Sequence, residues 1–202
     1  MSNIEFVPVK DFIPVEIMYG SILNIYTNKV TSFTHGFHKY PAKFIPQIPK
    51  WAIEKHLNGN KGKTILDPFC GSGTTMVESL LSEHNGIGLD IDPFSSLISK
   101  VKTTPINLKE LKEISDWLVT SIRGEKKGEF NPDCGTIKHW FSEDALNKLS
   151  IIRTQINLIT DKFGENKSVK DIQELLLICF SSIIRRVSNA DNESQKTYVS
   201  HK

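Results

Sequence analysis

No stretch of the 202 residues approaches the ~20 consecutive apolar positions that a membrane-spanning helix needs. The longest apolar run, residues 175–180 extended by Ile183 and Ile184, stops well short, so the chain is read as soluble, with no membrane partner. Its first residues, Met1-Ser2-Asn3-Ile4-Glu5, carry neither the basic patch nor the apolar stretch of a secretory signal, and a cytoplasmic location is expected. An excess of one charge is also missing. Lys plus Arg total 25 against 23 Asp plus Glu, and a formal charge of +2 excludes a histone-like or polybasic binder, so any nucleic-acid surface must be local. Cysteines are few: Cys70, Cys134 and Cys179 lie far apart with no C-x-x-C pair, which excludes a zinc ribbon or a redox disulfide and reads as small buried side chains.

What is present is enough for a core. With 39% apolar and 24% charged residues, the composition fits one globular domain with a helical extension. Residues 1–34 hold short β-leaning runs, 5–9 and 21–26, broken by Pro8 and Pro14, and read as an irregular N-terminal arm. Residues 35–63 are the most basic window, with Lys39, Lys43, Lys50, Lys55, Lys61 and Lys63 against the single acid Glu54, and with Phe37, Tyr40, Phe44 and Trp51 interleaved. Within it, residues 46–57 predict a short helix with Ile48, Trp51, Ala52 and Lys55 on one side and Gly59 as the stop.

Thr64-Ile65-Leu66-Asp67 predicts a strand, residues 68–73 a glycine-rich loop, and residues 74–83 a helix in which Met76, Val77, Leu80 and Leu81 recur at helical spacing. Residues 86–90 predict a second strand, and Asp92-Pro93 opens another helix with an N-cap carboxylate and a first-turn proline. The result is one βαβ unit with a parallel strand pair. Beyond residue 107 the pattern is helical: 108–122, then an apolar repeat from Ala145 through Leu149, Ile152 and Ile156 to Ile159, then 169–187. A Gly/Lys/Glu/Pro-rich loop, 124–135, separates the first two, and 188–202 reads as a polar tail.

The chemistry is concentrated in Asp67-Pro68-Phe69-Cys70-Gly71-Ser72-Gly73-Thr74-Thr75, where a strand turns into a helix. Gly71 and Gly73 allow the backbone to approach a ligand that a Cβ would exclude. About twenty residues on, Asp90 ends the next strand, where a doubly wound fold presents a carboxylate to ribose hydroxyls. A dinucleotide fingerprint wants a third glycine where this sequence has Met76, which disfavours NAD. A phosphate loop ending in Gly62-Lys63-Thr64 would need glycine where Leu57 stands, and its lysine precedes the strand instead of following it, which disfavours ATP.

DPFCGSGTT followed by GLDIDP resembles the S-adenosylmethionine site of DNA methyltransferases that modify exocyclic amino groups of adenine (N6) or cytosine (N4). The upstream stretch His35-Gly36-Phe37-His38-Lys39-Tyr40-Pro41-Ala42-Lys43-Phe44 resembles that family's additional cofactor segment, so the likeness covers residues 32–107. It implies a partial Rossmann-like α/β methyltransferase sheet, a cofactor-binding core at 35–107 and a helical extension or insertion at 108–187. It also implies S-adenosyl-L-methionine as cofactor, DNA as partner, and a place in restriction–modification. Position by position, it implies that Asp67, Gly71 and Gly73 lie beneath the amino-acid part of the cofactor, with Asp67 on its ammonium. Asp90 would hold the ribose and Ile91 pack on adenine, while Phe69, Thr74 and Thr75 shape the pocket and Tyr40, Pro41 and Lys43 close the methionine side.

The same family carries an Asp/Asn/Ser-Pro-Pro-aromatic loop whose oxygens accept the target amino hydrogens while its ring stacks on the flipped base. The nine prolines here, Pro8, Pro14, Pro41, Pro46, Pro49, Pro68, Pro93, Pro105 and Pro132, include no adjacent pair. Asn131-Pro132-Asp133-Cys134 begins like that loop but has Asp and Cys for the second proline and the aromatic. The catalytic residues are therefore unknown, and a second chain supplying them is expected. Two alternatives stay open: a noncatalytic truncated or accessory module binding cofactor, DNA or a protein, and an RNA methyltransferase, since related loops occur there. Carbon-5 methylation of cytosine wants a Pro-Cys nucleophile, whereas the cysteines follow Phe69, Asp133 and Ile178. Arg185-Arg186 and the lysines of 35–63 read as phosphate contacts or as a solvated face.

Overall fold

The computed structural model describes residues 6–10, 13, 16, 22–26, 29–41, 43–132 and 135–190. The chain divides into two compact units, Met1–Thr103 and Thr104–Lys202. The division precedes the boundary expected at 107, because Ile106 and Leu111 pack into the core of the second unit.

The stretch expected to be an irregular arm contains two strands. β1 (Phe6–Lys10) and β2 (Ile22–Tyr26) pair in parallel, from Phe6 opposite Ile22 to Lys10 opposite Tyr26. Pro8 sits within β1 opposite Asn24, a place open to proline in a two-stranded sheet because one side of each strand donates to no partner. Parallel pairing needs a crossover with no local turn signature, which is why neither run announces its partner. Pro14 lies outside the described residues. Two short 3-10 turns, Lys29–Thr31 and Phe33–Gly36, lead to helix α1 (Gln47–Leu57), which Asn58 ends in the left-handed conformation while its N–H bonds the Glu54 carbonyl. The side expected to face inward, with Ile48, Trp51, Ala52 and Lys55, is not the buried one: Pro49 and Ile53 are buried, Ile48 is 40% exposed, and the Lys55 ammonium lies 5.0 Å from the centre of the Trp51 ring on the more open side.

Then comes the βαβ unit: β3 (Thr64–Asp67), α2 (Thr74–Leu81), β4 (Asn85–Gly88) and α3 (Pro93–Thr103). β3 and β4 are parallel, with Thr64 opposite Asn85 and Asp67 opposite Gly88. α2 is the hub, packing on both strands, α1 and α3, with Met76, Val77, Glu78 and Ser79 buried. Asp92 caps α3 as its sequence predicts, its carboxylate accepting from Phe94 N (3.0 Å), Ser95 N (3.3 Å) and Ser95 Oγ (2.8 Å). The strands leave apolar surface uncovered, with Leu66 59% and Ile87 50% exposed.

The second unit is helical. α4 (Leu108–Gly124) is capped by Asn107, α5 (Ile137–Trp140) is a single turn, and α6 (Glu143–Asn157) is capped by Ser142. α7 (Ile159–Phe163) is short, and α8 (Lys167–Ile184), capped by Asn166, runs into the 3-10 turn Arg185–Val187. The core is Ile114, Leu118, Ile156, Ile159, Val169 and Ile172. The apolar repeat 145–159 is therefore split between two helices at Leu158, where the Leu158 N–H turns back to the Thr154 carbonyl and Ile159 still reaches the core. Cys179, expected to be buried, is exposed on α8, one residue past the buried Ile178 and so a third of a turn off the core-facing side. Asp133, Cys134 and residues 191–202 of the expected tail lie outside the described residues.

No helix among the described residues is long and apolar enough to cross a membrane. The chain is thus mixed α/β, mostly helical, with two separate two-stranded parallel sheets.

Candidate functional site

The loop from Pro68 to Gly73 leaves the end of β3 and delivers the chain to the start of α2. Three hydrogen bonds shape it. Asp67 Oδ1 accepts from Phe69 N (3.1 Å), and Gly73 N donates to the Cys70 carbonyl (2.8 Å), closing a tight turn. Asp90, just past β4, accepts from Gly71 N through Oδ2 (2.8 Å) and from Asp92 N through Oδ1 (2.9 Å), tying the loop of one strand to the loop of the next.

The two loop glycines have different reasons. Gly71 has φ +49, and a Cβ there would stand 3.7 Å from the Tyr40 ring. Gly73 has φ +78, and a Cβ there would come within 2.8 Å of the Ser99 Cα, a backbone atom that cannot step aside. Its hydrogen is what lets α2 and α3 approach. Gly73→Ala adds both a left-handed penalty and a clash, so we expect a loss of about 2–4 kcal/mol of stability, read as a lowered midpoint in denaturant unfolding with unchanged slope.

Around the loop, His35, Tyr40 and Lys43 are held by polar contacts. His35 Nε2 donates to Glu78 Oε1 of α2 at 2.7 Å, and Lys43 Nζ donates to the His35 carbonyl at 2.9 Å. The Tyr40 hydroxyl lies 2.5 Å from Ser95 Oγ, which in turn donates to Asp92. The Ser95 hydroxyl, followed by the Phe94 N–H, holds the Asp92 carboxyl below the usual carboxylate range. From α3, Lys102 Nζ donates to the Ser72 carbonyl at 2.8 Å, and burial, with the Lys43 charge second, pushes its pKa down to about 8. Cys70 is buried and its thiol is pushed up mainly by that burial, so it is no ready nucleophile.

These elements enclose a recess of about 150 Å³. Seven of the eleven residues expected at a cofactor site line it: Tyr40, Lys43, Asp67, Phe69, Gly71, Thr74 and Thr75, joined by Phe44, Cys70 and Ser72. The other four do not. Gly73 faces α3, Pro41 is exposed, Asp90 reaches the recess through its bond to Gly71, and Ile91 is 100% exposed. The volume is below the ~300 Å³ of a typical small-molecule site, so it suits one end of a ligand, with the exposed face of Phe69 open to the rest. The donor set fits S-adenosylmethionine: Asp67 for an ammonium, Asp90 for hydroxyls, a glycine where side-chain bulk would intrude, and a buried Ser72 hydroxyl without a protein partner. Among the described residues no group of His, Cys, Asp and Glu could hold a metal ion.

Sequence reasoning missed Ser72, Phe44 and Cys70 as lining residues, and also Lys102, His35, Glu78 and Ser95 as supports. Ser72 and Cys70 were within the motif. The supports come together only through packing, since His35 and Glu78 are 43 positions apart and carry no local signature.

Residues 18–100 match the family model for DNA methylases of N6/N4 type. The chain is 36% identical over 189 residues to the type II methyltransferase M.MvaI of Kocuria varians, covering 89% of this chain and 39% of that protein. It is 44% identical over 168 residues to the type II methyltransferase M.MjaII of Methanocaldococcus jannaschii, covering 81% and 30%. With M.BsoBI of Geobacillus stearothermophilus, another type II methyltransferase, it shares 31% over 137 residues, covering 60% and 27%. The chain thus spans about two fifths or less of the length of these curated relatives. No solved structure matches it. The matched stretch contains α1, β3, α2, β4 and every residue that lines the recess, and it is through this part that the chain is similar to the DNA methylases of N6/N4 type.

Proposed function

We propose that this chain is the S-adenosyl-L-methionine-binding part of a cytoplasmic DNA methyltransferase acting on the exocyclic amino group of adenine or cytosine. The observation that carries it is the recess at the end of β3, in which Asp67, Gly71, Tyr40 and Lys43 converge from two separate sequence segments. The bound cofactor supplies an electrophilic methyl on a sulfonium sulfur. The chain's own residues bind and orient: Asp67 takes the ammonium, the Asp90 carboxylate takes ribose hydroxyls with the lone pairs left beside Gly71 N and Asp92 N, and Ile91 with Phe69 covers the adenine. Tyr40 and Lys43, anchored by Ser95 and the His35 carbonyl, form the wall on the methionine side.

The groups that accept the target amino hydrogens come, in this reading, from polypeptide outside these 202 residues. An apolar groove of about 400 Å³ beside β3, lined by Phe44, Ile48, Ala52, Ile53, Ile65 and Leu66, supports the addition of further structure at that edge. The relatives' greater length agrees with this.

Calorimetric titration tests the cofactor reading. Saturable, one-to-one binding of S-adenosylmethionine and of its demethylated product is expected, with no binding of NAD or ATP. A folded chain that binds neither sulfur ligand, or that prefers ATP, overturns it.

A further inference from the structure

Lys102 of α3 carries a charge behind the recess wall, against the Ser72 carbonyl. It is 4% exposed, its one hydrogen bond runs to the Ser72 carbonyl, and among the described residues no carboxylate pairs with it. A buried ammonium without a counter-ion is costly, and the nearby Lys43 charge adds to the cost. Ser72 itself lines the recess, is 2% exposed, and leaves its Oγ without a hydrogen-bond partner. Thr74 and Thr75, which also line the recess, open α2, where the first N–H groups lack helical acceptors and the dipole favours an anion. Asp67 is the one carboxylate among the lining residues.

We propose that Lys102 is a positioning residue for the carboxylate of the ligand's amino-acid moiety. It occupies the Ser72 carbonyl oxygen, which would otherwise repel an anion, and sets a positive charge behind the peptide that the carboxylate meets. The recess then takes a zwitterion in one orientation: carboxylate on Ser72 Oγ and the first turn of α2, ammonium on Asp67. The ligand's negative charge is the missing counter-ion of Lys102. This rests on the S-adenosylmethionine reading and deepens it, since that reading leaves the carboxylate without a partner.

The test compares S-adenosylmethionine with its decarboxylated analogue, which keeps the ammonium, sulfonium and nucleoside. Lys102→Met is nearly isosteric and removes a buried charge, so it preserves the packing of α3. The variant is expected to bind S-adenosylmethionine about tenfold more weakly than the parent chain while binding the decarboxylated analogue within twofold of it. Ser72→Ala, an independent arm that deletes only the unpartnered hydroxyl, is expected to lose several-fold for S-adenosylmethionine and nothing for the analogue. Lys102→Arg should recover most of the loss. Equal losses for both ligands, or none for either, overturn the proposal while leaving the cofactor reading in place. A parent chain that binds neither ligand overturns both.

Discussion

Asp90→Ala is expected to lower the affinity for S-adenosylmethionine at least about 100-fold. Two losses combine. The carboxylate accepts from Gly71 N and Asp92 N, and in the proposed complex it also accepts from ribose hydroxyls. Hydrogen bonds to a charged acceptor are worth about 1.5–3 kcal/mol each, so losing the ribose contact alone costs roughly tenfold or more, and releasing Gly71 loosens the floor of the recess as well. Asp90→Asn keeps one acceptor oxygen and should fall between the two. Calorimetry gives the affinities, and circular dichroism establishes that the variant is folded. Binding within threefold of the parent chain would remove Asp90 from the ribose role and leave it as a strut between two loops.

The second large effect is the absence of turnover. Incubated with tritiated cofactor and mixed-sequence duplex DNA, the 202-residue chain is expected to leave the DNA at background. Transfer to an exocyclic nitrogen requires acceptors for its hydrogens so that the lone pair turns toward the methyl, and removing even one transition-state hydrogen-bond partner typically costs 10²–10³ in rate. Here the whole loop is lacking. The nearest sequence match, Asn131-Pro132, belongs to a segment tied to α6: Thr154 Oγ1 accepts from Glu129 N and Phe130 N, both at 3.0 Å, and Ser150 Oγ donates to the Phe130 carbonyl. Adding a polypeptide that carries the Pro-Pro-aromatic region of a relative should raise incorporation. Transfer by the chain alone, abolished by Asp67→Ala, would show that the acceptors lie within it and would reopen the choice of catalytic residues.

Much of the binding half was legible because its signals are local. A strand-loop-helix written as TILD-PFCGSG-TT, and an Asp-Pro cap before α3, depend on neighbours within a few residues, and the structure places β3, α2, β4 and α3 where those signals lie. Pairings across distance were not legible. Nothing in Phe6–Lys10 names Ile22–Tyr26 as its partner, and nothing in His35 names Glu78. Composition does not carry burial where one residue's step around a helix decides it, as at Cys179, nor helix continuity where an apolar repeat survives a break, as at Leu158. At the site, the motif residues were read from type and spacing, whereas Lys102 carries no motif and emerges only because α3 lies beneath the loop.

The buried bond between His35 and Glu78 also sets an order in time. It joins positions 43 residues apart, so the chain between them must be gathered before the contact repays the entropy of closure. Glu78 points the right way only once α2 has formed, and α2 draws its own support from both strands and α3. The segment bearing Tyr40 and Lys43 therefore gains its His35 anchor only when α2 is in place. During synthesis His35 leaves the ribosome 43 residues ahead of Glu78, so the wall that carries Tyr40 and Lys43 lacks this anchor until α2 has emerged.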